Sequence, residues 1–398
     1  MIKRKILFLI PTYIEPGGAQ KLLDSISQLL NSEHDVNIAS FDPPGSKSYF
    51  NSDIPFFPVG SSIKLPFPFR QIKYLFLAYK IKVLKQNLGT EIIFSLLAPA
   101  DIVNSLSTSK YKRFSLVVID LLNNKTNIKM LKMHHIFGFF YRRLDKIFAI
   151  TQHVANEWVE CFGLDESKIS IFKNFIEKPN TVPIFSNNMQ RFVVCGRFVI
   201  EKNIEGLLYV WSSYASRNQN CQLVIIGDGL LFKEMMALAN SLNLKVGLKP
   251  EDSFADVLFV GYSRKPENYM SAADALLITS RNEGLPTVAI IAANLGLPII
   301  AADTHGGATR NLFEISDSTP LSDANDFNTE LLGVLLPIPD QSDPYTISAW
   351  VNTMELIKRD PIIREKLVLG AKKIAHNHSA VVAREYWLSF INKLPHSF

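Results

Sequence analysis

Short, uninterrupted apolar runs alternate with amphipathic segments along almost the whole chain. The run at 5–10 (KILFLI) is followed by a glycine turn, Glu15-Pro16-Gly17-Gly18, and then by helical periodicity to about residue 31. Further apolar runs fall at 35–40, 91–95, 115–119 and 146–150, with a weaker one at 169–172. Runs that are apolar throughout and separated by helices predict a parallel sheet covered on both faces. The stretch 182–188 (VPIFSNN) breaks the pattern with turn-forming residues and reads as a linker. The pattern then restarts, with strands predicted at 191–195, 221–226, 257–260, 275–279 and 298–301, and helices at 203–216, 231–242 and 286–295. From about residue 346 the chain reads as helical and closes on an aromatic cluster, Tyr386-Trp387-Leu388-x-Phe390. The expected architecture is α/β, with two doubly wound domains at 1–183 and 184–375 and a helix at 376–398 that packs back toward the first domain. Sheets of this kind bind ligands outside the C-terminal ends of their strands, so two facing domains predict a central cleft.

Composition agrees with this picture and narrows it. The 398 residues are 47% hydrophobic and 20% charged, a globular balance long enough for two ordinary domains. No uninterrupted apolar stretch reaches the roughly 18 residues that a membrane span requires. The run at 5–10 is too short for a secretory signal, and Pro11 follows it without a small-residue cleavage site, so it reads as a buried first strand. Cys161, Cys195 and Cys221 are scattered. They suit a reducing cytoplasm and argue against a zinc or disulfide framework. The pairs His134-His135 and His376-x-His378 have no carboxylate or thiol spaced to complete a metal site, so no metal is expected.

The net charge of +5 is concentrated in the first half of the chain. Between Asp53 and Glu91 no acidic residue occurs, and Lys64, Arg70, Lys73, Lys80, Lys82 and Lys85 are interleaved with Phe67, Phe69, Tyr74, Phe76 and Tyr79. One reading is a basic, aromatic helix that makes a peripheral contact with an anionic membrane. The other is a solvated face whose aromatics pack inward. Nucleic acid is not among the expected partners.

Candidate chemistry gathers in three clusters at predicted strand ends. Gly17-Gly18 precedes a helix, where backbone N–H groups approach an anion closely, although a plain tight turn fits equally. Gly196-Arg197-x-x-x-Glu201-Lys202-Asn203 sets cations at the start of a helix. The helix dipole disfavours them there unless an anion lies between them, and a bound phosphate would resolve the conflict. Ser280-Arg281-Asn282-Glu283-Gly284-Leu285-Pro286-Thr287 closes a strand and opens a helix, with Pro286 suited to the first turn.

Taken together, Val194-Cys195-Gly196-Arg197-Phe198-x-x-Glu201-Lys202-Asn203, Leu223-x-Ile225-Ile226-Gly227-Asp228-Gly229, Ala273-Asp274-Ala275, Ser280-Arg281-x-Glu283-Gly284-Leu285-Pro286-Thr287 and Leu295-Gly296-Leu297-Pro298-Ile299-Ile300-Ala301 resemble the retaining glycosyltransferases of family 4. That resemblance implies the GT-B fold of two Rossmann-like domains. It implies transfer of a sugar from a nucleotide-diphosphate donor to a saccharide or polyprenyl-phosphate-linked acceptor in cell-surface polysaccharide synthesis. The anomeric configuration would be retained without a metal or cofactor, in the cytoplasm or at the inner face of the membrane. Arg197 and Lys202 would hold the donor diphosphate and stabilise the leaving nucleotide. Glu283 would bind sugar hydroxyls beside the Gly284 and Leu285 amides, and Gly17 and Gly18 would close on the diphosphate from the first domain.

Three positions depart from the family pattern. The second Glu of the signature, eight residues on and directed at the nucleotide ribose, is replaced by Ile291, with Asn294 one turn further along the same helix as a substitute. Where many relatives carry a His after the strand at 115–119, this chain has Asp120, either an acceptor-side base or a strand-end cap. Arg310 stands near an expected Glu, ahead of a stretch that reads as an inserted loop. Ile291 and Asp120 motivate an alternative, a non-catalytic sugar-nucleotide-binding homologue or partner subunit. A sugar-nucleotide epimerase is a third reading, which the Glu-Gly-Leu-Pro cluster disfavours.

Overall fold

The computed structural model describes residues 3–15, 17–60, 72–106, 112–117, 134–172, 174–185, 189–252, 254–284, 286–321, 325–327 and 330–394. The chain forms two compact units, Met1–Asn174 with Ala380–Phe398, and Phe175–Ser379. The stretch ahead of the second sheet belongs to the second unit because its backbone is tied there. The Ile176 amide donates to the His378 carbonyl at 3.2 Å, and the Val182 amide to Asn268 Oδ1 at 3.0 Å.

The first unit holds a seven-stranded sheet in the order β3-β2-β1-β4-β5-β6-β7. Its strands are β1 (Lys5–Ile10), β2 (Asp35–Ser40), β3 (Phe56–Pro58), β4 (Ile92–Leu96), β5 (Lys112–Val117), β6 (Lys146–Ala149) and β7 (Ile169–Ile171), paired in parallel throughout. β5 begins three residues before the apolar run at 115–119. Its polar start is paired all the same: the Lys112 amide donates to the Glu91 carbonyl and the Arg113 amide to Asp145 Oδ2. One sheet face packs Leu7, Leu9 and Ile93 against α2 (Ile72–Leu88) and α3 (Ala98–Ser105) through Leu77, Ala78, Ile81, Ala100 and Val103. On the alternate positions Phe8, Phe94, Phe114 and Phe148 stack in a ring cluster closed by Trp387 and Phe390. The helices α1 (Gly18–Asn31), α4 (His134–Arg142) and α5 (Gln152–Phe162) complete the chain's first passage through this unit.

The second unit repeats the plan in the order β10-β11-β9-β8-β12-β13-β14. Its strands are β8 (Gln190–Cys195), β9 (Cys221–Ile226), β10 (Val246–Gly247), β11 (Val257–Gly261), β12 (Ala275–Ile278), β13 (Ile299–Ala302) and β14 (Val334–Leu336). Its helices are α6 (Ile204–Ala215), α7 (Phe232–Ser241), α8 (Glu267–Met270), α9 (Thr287–Asn294), α10 (Ala308–Leu312), α11 (Pro344–Arg359) and α12 (Pro361–Asn377). Phe192, Leu223, Val257 and Leu277 face α6 and α11, whereas Val193, Val224, Leu258 and Leu276 face α9 and α12. This two-sided burial explains why the strands carry apolar residues at consecutive rather than alternate positions. The last helix, α13 (Ala380–Asn392), returns to the first unit. There Trp387 enters the ring cluster, Tyr386 Oη donates to the Ile171 carbonyl, and Arg4 Nη2 donates to the Leu394 carbonyl.

Candidate active site

In a doubly wound sheet the strand order reverses at one point, and the loops leaving the two strands there diverge to open a crevice. In the second unit that point lies between β8 and β12. The loop after β8 carries Gly196, Arg197 and Lys202, and the loop after β12 carries Ser280, Arg281 and Glu283. Two of the three sequence clusters therefore converge on one crevice, and each is shaped by local sterics. A Cβ on Gly227, at φ +146°, would lie 1.9 Å from the Gly196 carbonyl oxygen. A Cβ on Gly196 would lie 3.3 Å from Lys202 Cδ. Glycine at both positions lets the strand ends and the lysine stem pack in contact.

A single turn of 3-10 helix, Ile200–Lys202, leads to Asn203 in the left-handed region at φ 51°. Asn tolerates that conformation better than most residues. Here its buried amide also works on both sides, with Nδ2 donating to the Pro339 carbonyl at 3.0 Å and Oδ1 accepting from Arg281 Nη2 at 3.0 Å. Thr279 Oγ1 reaches the carbonyls of Lys202 and Asn203 at 3.2 and 3.3 Å, and the Arg281 amide donates to the Glu201 carbonyl at 2.8 Å. The turn bearing Lys202 is thus stitched to the end of β12.

The result is a close ion pair, with Lys202 Nζ 2.6 Å from Glu283 Oε1. Ser280 Oγ donates to the same oxygen at 2.7 Å. The side chains are 23% and 8% exposed, so the pair sits in a partly dried pocket where charge interactions exceed those in water. The anion that Lys202 meets in this conformation is Glu283. Arg197 is exposed, and among the described residues its guanidinium takes no side-chain partner. Next to Glu283, α9 starts without a side-chain cap and without an acidic residue in its first turn. The first amides of a helix have no intrahelical acceptor and carry the positive end of the dipole, which favours an anion. Two cations and an uncapped helix start suit a diphosphate, and a positioned carboxylate suits hydroxyl donors.

Other residues singled out from the sequence take structural roles or lie elsewhere. Asn294 Nδ2 donates to the Ile290 carbonyl of its own helix at 3.0 Å, and half-buried Ile291 packs on the apolar layer behind α9. Arg310 forms a two-pronged ion pair with Asp303, both contacts at 2.8 Å, and also holds the Ser316 and Thr319 carbonyls. It organises the segment after α10. Asp274 accepts from the Arg191 amide and from Arg364 Nη2. Burial pushes the Cys195 thiol up to about 11, which keeps it protonated and unreactive near neutrality. Gly284 is half-buried beside Glu283, while Asp120 and Leu285 lie outside the described residues. Among the described residues no group of three or more His, Cys, Asp or Glu could hold a metal ion.

In the first unit the order reverses between β1 and β4, and Gly17-Gly18 follow β1. Both glycines are exposed, and Gly17 occupies the N-cap position of α1 without a side-chain cap. A Cβ there would lie 2.3 Å from Gln20 Oε1, because that side chain folds back on the helix start. Buried Asp42 braces the preceding loop by accepting from Thr12 Oγ1, the Tyr13 amide and Ser40 Oγ.

Residues 182–312 match the family model described as Glycosyl transferases group 1. The second unit thus carries a glycosyl transferases group 1 domain. The matched segment runs through β8, the Lys202 turn, β12 and α9, so it includes both members of the Lys202–Glu283 pair. Across 363 residues the chain is 25% identical to the amylovoran biosynthesis glycosyltransferase AmsD of Erwinia amylovora, covering 88% of this chain and 95% of that one. It is 22% identical over 334 residues to the N-acetylgalactosamine-N,N'-diacetylbacillosaminyl-diphospho-undecaprenol 4-alpha-N-acetylgalactosaminyltransferase of Campylobacter jejuni, covering 81% and 87%. The crystal structure of Anabaena HepE in complex with UDP superposes with a TM-score of 0.73 at 16% identity, over 98% of this chain and all of that one. The group 1 glycosyltransferase therefore has the GT-B architecture of two Rossmann-like units, and the family 4 resemblance holds. Sequence reasoning missed the residues that fix its crevice. Arg281 lay within a quoted motif without a role, and Asn203 was visible only as the residue after Glu201-Lys202.

Proposed function

We propose that this glycosyltransferase moves a sugar from a nucleoside diphosphate donor to a saccharide or polyprenyl-phosphate-linked acceptor in cell-surface polysaccharide synthesis, working on the cytoplasmic side of the membrane. The observation that carries the reading is the Lys202–Glu283 pair at the point where the second sheet reverses its order. The AmsD and Campylobacter names speak for a polysaccharide or diphospho-undecaprenol acceptor, and the HepE complex makes UDP the first nucleotide to test.

In this reading Arg197 and Lys202 take the diphosphate together with the first amides of α9. The acceptor oxygen bonds to the anomeric carbon as the bond from that carbon to the diphosphate breaks. The acceptor proton leaves on the departing diphosphate. Charge developing on the leaving group is met by the two cations, which supply what a metal ion supplies in other transferases. Glu283 orients hydroxyls of the transferred sugar through the oxygen not engaged by Lys202, and attack from the leaving-group side retains the anomeric configuration. On the first unit Gly17 and Gly18 offer amides to the diphosphate, and Asp120 serves the acceptor hydroxyl.

Incubation with a panel of nucleotide sugars should release nucleoside diphosphate slowly without acceptor, and Glu283→Ala should abolish the release. Proton NMR of the transferred sugar reads the anomeric configuration. Nucleotide binding with no turnover of any donor would instead support the non-catalytic reading that Ile291 motivates.

A further inference from the structure

The helix α2 has an apolar face on both sides. Leu77, Ala78 and Ile81 pack against the sheet, while Ile72, Leu75, Phe76 and Tyr79 are between 51% and 63% exposed. These four follow the spacing i, i+3, i+4, i+7, which places them in one stripe along the first two turns. Lone exposed apolar residues are ordinary on protein surfaces, but a contiguous stripe marks a contact. Of the two readings of this basic, aromatic segment, inward packing accounts for Tyr74, whereas Phe76 and Tyr79 stand more than half exposed.

Charge says what covers them. From Asp53 to Asp145 the intervening acidic residues are Glu91, Asp101 and Asp120. Glu91 is ion-paired with Arg4 at 2.7 Å, and Asp101 is buried, accepting from Ser95 Oγ and Tyr141 Oη. Lys73 and Lys82 flank the stripe, and Lys80 Nζ caps the Val59 and Gly60 carbonyls while lying 4.9 Å from the Phe76 ring centroid. In the same helix layer α3 packs against both α2 and α4, and α4 presents exposed Phe139 with Arg143 above its ring. Aromatic and aliphatic side chains over a field of lysine and arginine match an anionic lipid surface, where rings enter the headgroup boundary and cations meet phosphates. A helix joining two parallel strands runs antiparallel to them, so the exposed first half of α2 lies toward the edge of the sheet where the strands end. Among the described residues no helix is long and apolar enough to cross a membrane, so the contact would be peripheral.

We infer that the stripe Ile72, Leu75, Phe76 and Tyr79, flanked by Lys73 and Lys82, is a docking face for an anionic bilayer. This extends the proposed transfer to a lipid-linked acceptor, but its test needs no turnover. The full chain is sedimented with vesicles of phosphatidylcholine alone and of phosphatidylcholine with one-quarter phosphatidylglycerol. Binding should favour the anionic vesicles at least tenfold and weaken as salt is raised. The variant Leu75→Gln/Phe76→Gln/Tyr79→Gln and, separately, Lys73→Gln/Lys82→Gln should each lower partition about tenfold. Donor hydrolysis in vesicle-free solution should be unchanged in both, which keeps failure of docking distinguishable from failure of glycosyl transfer. Equal binding to both vesicle types, or variants that bind like the parent, would overturn the inference. So would a parent dimer that the apolar variant converts to monomer, since the stripe would then join two copies of the chain.

Discussion

Glu283→Gln offers a sharp test because it should act in opposite directions on two related ligands. Lys202 is engaged with Glu283 at 2.6 Å, so a phosphate that takes the ammonium must first draw it away. With one side chain 8% and the other 23% exposed, the pair lies between the surface and buried classes. A net worth of about 1–2 kcal/mol follows from interpolating between about 0–1 for exposed pairs and 3–5 for breaking buried ones. Glutamine keeps an acceptor oxygen for Ser280 and Lys202 but removes the negative charge that holds the ammonium. The free nucleoside diphosphate should then bind more tightly by up to the same roughly 1–2 kcal/mol, or about 5- to 30-fold. The intact sugar donor gains at one end and loses the carboxylate's charge-assisted hydrogen bonds, worth about 1.5–3 kcal/mol, at the other. Its affinity should stay level or fall, and turnover should collapse. Titration calorimetry with both ligands reads the contrast. Urea unfolding followed by tryptophan fluorescence, to which the fully buried Trp211 and Trp350 of the second unit contribute, should show a loss of about 1–2 kcal/mol. Unchanged or weaker diphosphate binding in Glu283→Gln would show that the ion pair does not compete with phosphate, and the reasoning would fail.

Three further outcomes are expected. Gly227→Ala sets a Cβ 1.9 Å from the Gly196 carbonyl, a backbone atom that cannot step aside, and should cost at least about 2 kcal/mol in a melting experiment together with nucleotide affinity. Ile291→Glu trades half-buried apolar packing for a carboxylate aimed at the ribose; calorimetry should show tighter nucleotide binding by up to about 10-fold, and weaker binding would discard the ribose assignment. Burial holds the His34 pKa below its ordinary 6.5, so the folded state binds fewer protons than the unfolded one between the two values. Stability of the first unit should therefore fall as pH drops through that window, and His34→Asn, which can still accept from the Arg4 amide, should flatten the acid limb.

How far the molecule was legible depended on whether a feature is written locally. β8, β9, β12 and β13 show as runs of buried aliphatics, and the two crevice motifs lie at their ends. The contact between those motifs is not local. Lys202 and Glu283 are 81 residues apart, and the Asn203–Arg281 hydrogen bond that aligns their loops spans 78. Neither residue's chemistry announces its partner. The short strands β3 and β10 escaped notice because two or three residues cannot establish a period. On α2 the sequence is apolar on both faces, so periodicity could not tell the buried side from the exposed one. Arg310 was conspicuous as a departure from the family pattern, and its bond to Asp303 makes it a clamp for the following segment.

The return of α13 to the first unit makes that unit discontinuous in the chain, and this has a consequence for synthesis. Everything needed for the second unit, through Ser379, has been translated before the segment that fills the aromatic side of the first sheet is made. Until Trp387 and Phe390 arrive, Phe94, Phe114 and Phe148 have no cover from this helix. The unit begun first on the ribosome is thus completed last, and it waits through 205 intervening residues with a sticky flank open to chaperones.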